Sequence, residues 1–238
     1  MKHKYLFILC PPSSGSTLLW QILRTSPHVG VLPAEGQALA KGILFNEQRW
    51  NPEMPVQWAK VKGKWEAAWD LTKPVLLEKS PPHLVRAGQL DENFPGSYFL
   101  IMVRNPYAFC EGIKRRWRKE LSYADIARLW IDWAGWQASN RNRLRNALTF
   151  TYEELTSDPW GQCRRLIEFV PELRELHPDK EFKIFEKMLK VANLNSRQIA
   201  RLTPGDMLEI NGVLRAKLEL LKYFRYEFLE NPEQKQHE

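Results

Sequence analysis

The stretch Tyr5-Leu-Phe-Ile-Leu-Cys-Pro-Pro-Ser-Ser-Gly-Ser-Thr-Leu-Leu-Trp-Gln-Ile-Leu23 runs from an apolar segment through a turn of small residues into an amphipathic pattern. A strand that passes into a helix through such a turn gathers free backbone N–H groups and the positive end of a helix dipole at one point, which suits an anion. Gly15 lets the backbone approach closely, and Ser14, Ser16 and Thr17 add hydroxyl donors. An ordinary strand-to-helix turn would also use small polar residues, so placement decides between the two. A nucleoside triphosphatase loop reads G-x-x-x-x-G-K-S/T, whereas Gly15-Ser16-Thr17 has no lysine, which disfavours hydrolysis of ATP or GTP.

The rest of the chain fits the same architecture. Strands are expected at Val29 to Leu32, Val75 to Leu77, Ser97 to Val103 and Thr149 to Tyr152; "SYFLIMV" has the unbroken apolar run of a parallel strand covered on both faces. Helices are expected at Thr17 to Arg24, around Glu35 to Phe45, and at Ala108 to Arg118, Tyr123 to Arg145, Trp160 to Phe169, Phe182 to Val191 and Met207 to Leu221. The alternation predicts an α/β protein of three layers, a mostly parallel central sheet flanked by helices, with ligands beyond the carboxyl ends of the strands. A chain of 238 residues suits a single domain over 1–230, with 36–75 as a lid or insertion and 231–238 as a disordered tail.

Composition narrows the classes. No apolar run approaches the length of a membrane span, and six apolar residues before Pro11-Pro12 are too few for a signal peptide. Three widely spaced cysteines, Cys10, Cys110 and Cys163, match neither a disulfide framework nor a zinc site, which points to the cytosol and to chemistry without a metal. The net charge of +7 favours anionic ligands. The cluster Lys114-Arg-Arg-Trp-Arg-Lys119 reads equally as a solvated helix face or a polyanion site, and a basic nucleic-acid-binding domain is the weaker alternative.

Several segments resemble the sulfotransferase family. Pro12-Ser-Ser-Gly-Ser-Thr-Leu-Leu19 is similar to its 5′-phosphosulfate loop, Tyr98-Phe-Leu-Ile-Met-Val-Arg-Asn-Pro106 to the strand and turn of its 3′-phosphate site, and Thr151-Tyr-Glu-Glu-Leu-Thr-Ser-Asp-Pro159 with Arg165-Leu-Ile-Glu-Phe169 to a further shared segment. Met207 to Tyr226 resembles the terminal helix, so the likeness spans roughly Lys4 to Phe228. It implies a P-loop-like fold and transfer of a sulfuryl group from 3′-phosphoadenosine 5′-phosphosulfate (PAPS) to a hydroxyl, leaving 3′-phosphoadenosine 5′-phosphate (PAP). The donor would rest on Pro12, Ser13, Ser14, Gly15, Ser16 and Thr17, with Arg104, Gly112 and Ser196 toward the 3′-phosphate.

Two positions depart from the pattern. Ser13 stands where the family usually has Lys or Arg, and Gly112 where it usually has the serine that joins the arginine at the 3′-phosphate. Leu76-Leu-Glu-Lys-Ser-Pro-Pro82 resembles a stretch of heparan sulfate-type enzymes whose lysine reaches the active site, which implies that Lys79 supplies the missing charge; Glu78 and Lys79 could otherwise simply solvate a strand end. Lys114, Arg115 or Arg116 are candidates to make up for Gly112.

Ser26-Pro-His-Val-Gly-Val-Leu-Pro-Ala-Glu35 resembles the segment that carries the general base in tyrosylprotein and heparan sulfate sulfotransferases, which implies that role for Glu35, although a glutamate at a helix start is also favoured by the dipole. His28 and His83 are the competing bases. In Asn193-Leu-Asn-Ser-Arg197, Asn195 and Ser196 read as helix caps, and Tyr152 as a packing residue. Arg49, Lys60, Lys62 and Lys64 with Trp50, Trp58, Trp65 and Trp69 would either grip an anionic, carbohydrate or peptide acceptor or fill the core of a lid. A protein that binds the nucleotide but has lost catalysis is the runner-up. Neither nucleic acid nor membrane is expected as a partner.

Overall fold

The computed structural model describes residues 3–184 and 187–230; the expected tail at 231–238 lies outside the described residues. In chain order the elements are β1 (Lys4–Leu9), α1 (Ser16–Leu23), β2 (Val29–Val31), α2 (Gly36–Leu39), α3 (Trp58–Glu66), β3 (Val75–Lys79), α4 (Ala87–Asn93), β4 (Tyr98–Val103), α5 (Pro106–Arg116) and α6 (Tyr123–Arg143). They continue with β5 (Ala147–Thr151), α7 (Tyr152–Ser157), α8 (Pro159–Phe169), β6 (Phe182–Ile184), β7 (Lys187–Leu189), α9 (Asn195–Ile199), α10 (Pro204–Leu214) and α11 (Leu218–Tyr223).

The central sheet has the order β2-β3-β1-β4-β5 with every pairing parallel. From β1 the chain moves to one side for β2 and β3, then to the other for β4 and β5. The reversal falls between β1 and β4, and a crevice opens beyond the carboxyl ends of strands at such a switch point.

Alternating side chains hold the layers together. Leu6 and Ile8 of β1, with Leu100 and Met102 of β4, pack under α1 and α8. Phe7, Leu9, Phe99 and Ile101 face the other way, against Trp58, Val61 and Trp65 of α3 and Leu90 of α4. Period-two alternation thus feeds two separate cores from one run of apolar residues. A third core joins α5, α6 and α10 through Tyr107, Phe109, Ile126, Trp130 and Ile210. Truncating one of the fully buried aromatics such as Phe7 would cost about 3–5 kcal/mol.

Helix starts are specified locally. Asn105 accepts from the N–H groups of Tyr107 and Ala108 ahead of Pro106, while Ser122, Thr151 and Thr203 form reciprocal capping boxes with Asp125, Glu154 and Asp206.

Two expected helices come out differently. Phe182 to Val191 is not helical where it is described: β6 and β7 form an antiparallel pair. The alternation Phe182 buried, Lys183 exposed, Ile184 half-buried has the period of a strand, and Gln21 Nε2 donates to the Lys183 carbonyl at 3.0 Å, fixing the strand against α1. The pattern from Glu35 to Phe45 yields only one helical turn, α2, because Gly42 takes φ 85° and the backbone folds back into a Lys41–Phe45 bridge.

Candidate active site

The turn between β1 and α1 is an anion cradle without an anion's usual cation. Ser13 has φ 59° and Gly15 φ 95°, left-handed residues that set the turn, in which the Ser14 N–H donates to the Pro11 carbonyl at 3.3 Å, ahead of the start of α1, whose first turn holds no acid. A Cβ on Gly15 would come within 2.6 Å of the Tyr152 ring, so only glycine fits there. The Ser13 hydroxyl is buried and has no hydrogen-bond partner among the described residues. An unpaired buried hydroxyl beside the free N–H groups of a helix start suits the phosphosulfate end of a nucleotide.

The compensating charge comes from β3. The β1–β3 register sets Lys79 beside Ile8, two residues short of the loop, so its side chain leaves the sheet at the cradle. Lys79 Nζ donates to Glu35 Oε1, and Gln37 Nε2 donates to Glu35 Oε2 at 2.5 Å. Glu35 remains one-third exposed while Lys79 is 12% exposed, so the carboxylate faces solvent and the ammonium sits behind it. Each carboxylate oxygen keeps a lone pair, and Lys79 keeps two further N–H donors.

Glu35 owes its position to a buried support. Strand alternation sends Glu78 to the opposite face from Lys79, where it is 1% exposed. Its Oε1 accepts from the Gly36 N–H at 2.8 Å and from Ser80 Oγ at 2.5 Å, while Ser80 Oγ accepts from the Gln37 N–H at 3.0 Å. These contacts satisfy the first free donors of α2 and so hold its N-cap, Glu35, over the loop. Trp65 Nε1 donates to the Gly36 carbonyl at 3.0 Å, and a Cβ on Gly36 would lie 2.6 Å from Glu78 Oε1 and 2.7 Å from the Trp65 ring. Burial pushes the Glu78 carboxyl up, but His83, Ser80 and the Gly36 N–H together bring it below the usual 4.5.

His83 lies in this support rather than in the cleft. It is 1% exposed, and Nε2 is 2.8 Å from Glu78 Oε2 at an angle too bent for a straight hydrogen bond. His28 is in the turn before β2, its N–H donating to Ser26 Oγ at 3.2 Å.

Arg104, at the carboxyl end of β4, is 5% exposed and held on all sides. NH1 donates to the Ser13 carbonyl at 2.9 Å, Nε to Asn195 Oδ1 at 2.9 Å and NH2 to Gln198 Oε1 at 2.5 Å. The guanidinium carbon lies 4.0 Å from the centre of the Tyr152 ring, so Tyr152 supports both Gly15 and Arg104. Asn195 in turn donates to Glu153 Oε1 at 2.5 Å, and Tyr226 donates to Glu153 Oε2 at 2.9 Å. Gly112 packs where a Cβ would be 3.0 Å from Gln198 Nε2 and 3.4 Å from Ser13 Cβ.

Ser196 is exposed on α9, and it is Asn195 and Gln198 that turn to Arg104. Neither Asn195 nor Ser196 caps that helix: its N-cap is Leu194, without a side-chain cap bond, and the Asn195 N–H donates to Asn193 Oδ1 at 2.9 Å. Lys114 donates to the Leu121 carbonyl, Arg115 pairs with Glu111, the carboxylate that also accepts from Gln198, and Arg116 lies within electrostatic reach of Arg104 and Tyr152.

The cradle, Glu35 and Lys79 open on one cleft of about 1530 Å³. Its lining includes the aromatic side chains of Phe45, Trp50, Trp117, Trp133 and Trp136 together with the charged Arg49, Arg118, Asp125, Asp132 and Lys217. Trp50 stacks on Trp133 at 4.6 Å and 22°. Trp58, Trp65 and Trp69 are buried core residues, and of the four basic candidates only Arg49 lines the cleft. The segment 36–75 therefore uses most of its tryptophans for its own packing.

A parallel sheet with an anion cradle at its switch point and a lysine–glutamate pair beside it on one cleft defines an α/β fold of the P-loop-like kind. The chain belongs to the sulfotransferase family, whose model matches residues 6–172. No curated protein matches it by sequence. Among solved structures it is similar to a sulfotransferase from Alicyclobacillus acidocaldarius, at 15% identity over 95% of this chain and 98% of that one, with a TM-score of 0.60. A sulfotransferase domain from the curacin biosynthetic pathway gives 16% identity over 95% and 99%, with a TM-score of 0.58. Mouse sulfotransferase SULT7A1 complexed with PAP gives 14% identity over 93% and 87%, with a TM-score of 0.57. At such identities the likeness establishes the fold. Among the described residues no helix is long and apolar enough to cross a membrane.

Proposed function

We propose that the chain transfers a sulfuryl group from PAPS to the hydroxyl of an acceptor seated in the cleft, with Glu35 as general base and Lys79 as the cation facing the transferred group. The observation that carries this reading is the Lys79–Glu35 contact at the mouth of the cradle formed by Ser13 and Gly15. The donor supplies the activated sulfuryl group. The N–H groups of the turn and the start of α1 hold the anionic end in place, a preorganised set of dipoles that need not reorient during reaction. Lys79 opposes the negative charge that the lone Ser13 hydroxyl cannot. Glu35, half-open to the cleft, accepts the acceptor's proton, a contribution of about 10²- to 10⁴-fold.

The acceptor we favour presents a flat or apolar body beside its hydroxyl, because five aromatic side chains line the cleft and Arg49 is the single basic contribution of the segment 36–75 to it. A carbohydrate ring or a tyrosyl peptide meets that description, and neither nucleic acid nor membrane is part of the reading. Residues 1–230 form one catalytic domain in this account, with 36–75 shaping the acceptor side. All three cysteines are free and buried, as a cytosolic protein allows.

The test is transfer of a radiolabelled sulfuryl group from PAPS to a panel of phenols, sugars and tyrosyl peptides. Glu35→Gln is expected to lower turnover about 10²-fold or more while product-nucleotide binding stays nearly unchanged. Wild-type turnover in that variant would remove Glu35 from the mechanism, and absence of transfer to every acceptor by a chain that binds nucleotide would favour a binding protein without catalysis.

A further inference from the structure

The cleft does not end at its own walls. A second cavity of about 700 Å³ lies between α6 and α11, lined by the apolar side chains of Ile131, Ala138, Leu218, Leu220 and Tyr223 and by Gly135. Ile131, Gly135 and Lys217 line both spaces, so the cleft and this groove meet along one edge of α6. Helical spacing sorts the neighbours: Asp132, Trp136 and Ser139 line the cleft, Ala138 lines the groove, and Gly135, at the angle between them, stands on the saddle.

Among the described residues nothing calls for glycine there. A Cβ on Gly135 would meet no atom within 4 Å, and inside a 21-residue helix glycine is a weaker helix former than alanine. What the missing side chain does is keep the passage low. Beyond it Leu218 stays 37% exposed, while the charges on the rim are engaged, Arg215 over the Phe228 ring at 5.1 Å and Glu219 with Lys222 at 3.1 Å. An open apolar surface joined to a polar cleft suits a ligand that is itself polar at one end and apolar at the other.

We infer that the groove takes an alkyl or acyl tail carried by the acceptor, so that the protein acts on an amphiphilic hydroxyl compound. This assignment rests on the function proposed above and narrows its acceptor to a molecule with its hydroxyl at Glu35, its body along the aromatic cleft, and a tail that crosses Gly135 onto Ile131, Ala138 and Leu218. Because the two spaces are continuous, what fills the groove is joined to what the cleft holds, which favours a tail of the acceptor over a separate partner. Each methylene withdrawn from water there tightens binding about three- to fourfold.

The test is calorimetry of the full chain saturated with PAP, titrated with 4-methylphenol, 4-butylphenol and 4-octylphenol below the concentrations at which they aggregate. 4-Octylphenol is expected to bind at least about 10²-fold more tightly than 4-methylphenol. Gly135→Leu, which blocks the saddle, should lower that ratio about tenfold or more and melt no lower than wild type, because its side chain has open space. Leu218→Asp, beyond the saddle, should lower the ratio in the same direction. A smaller ratio in the wild type, including no binding of any phenol, or a ratio that both folded variants keep, would overturn the assignment and leave sulfuryl transfer intact. A dimer in sedimentation that Leu218→Asp dissociates would give the groove to a second copy and overturn it too. Failure of PAP to bind would overturn the parent reading as well.

Discussion

The two ends of the crevice between β1 and β4 resemble the same family equally well in sequence, yet they are in opposite states. At the β1 end the Ser13 hydroxyl is unpaired, Glu35 is one-third exposed and Lys79 reaches the mouth of the cleft. At the β4 end Arg104 is 5% exposed and donates to Ser13, Asn195 and Gln198. At one end a buried hydroxyl is unpaired, and at the other the guanidinium has filled its donors with neutral oxygens of the protein. A motif identifies a position in the fold, but whether its side chain is available is decided by the residues that pack around it.

That contrast can be broken by substitution. Arg104→Ala has the largest expected effect on stability: removing the guanidinium leaves the Ser13, Asn195 and Gln198 oxygens without their donor at about 1–3 kcal/mol each, and a total of about 3 kcal/mol or more lowers the melting temperature by roughly 6 °C or more at this size. A variant that melts like wild type would show that Arg104 is a free ligand group after all. Lys79→Ala acts the other way, lowering kcat about 10²- to 10³-fold while the unfolding free energy changes by only about 1 kcal/mol; unchanged turnover would empty the β1 end of its chemistry.

Gly36→Ala sharpens the link between support and site. The new methyl would press on Glu78 Oε1 and Trp65, and overpacking of this kind costs about 1–3 kcal/mol. Because the same turn carries Glu35, kcat should fall together with the melting temperature; a stable variant with normal kcat would detach Glu35 from that support. Acidification probes Glu78 more gently. Its folded-state value is lowered from 4.5, so its contribution to stability is complete above that value, declines as the pH drops below it and is gone once the pH has passed the folded value. Glu78→Gln should therefore flatten urea-unfolding stability against pH in that acidic window, and a parallel curve would contradict the buried-carboxylate account. The smallest effect is expected from Lys60→Ala with Lys64→Ala: both are exposed on α3 and outside the cleft, so stability should stay within about 0.5 kcal/mol and acceptor KM should not move. A large rise in KM would return the basic segment to the acceptor site.

Much of this was legible in the sequence because it rests on local rules. The apolar runs at Tyr5 and Tyr98 announce buried parallel strands, the Gly15 turn announces an anion cradle, and the Glu-Lys pair at the end of β3 announces two side chains sent to opposite faces. The split of duties within that pair was not legible, because whether Glu78 or Lys79 faces the loop depends on the β1–β3 register. Nor was the role of Gln198, which meets Arg104 across 94 residues of chain; a neutral amide carries no charge or motif to mark it. The tryptophans stay open in the sequence for a similar reason: Trp58 and Trp65 line one face of α3, and only the core beneath shows that they fill it rather than grip an acceptor. The β6–β7 pair escapes a helix-period reading because segments of three residues give that reading too little to distinguish.

The contrast between the two ends is tested most directly by a crystal structure of the chain grown with PAP. The expected result is the 5′-phosphate at the turn from Ser13 to Thr17, with Lys79 and Glu35 beside it. A nucleotide seated elsewhere, with that turn and Lys79 left untouched, would contradict the reading of the β1 end.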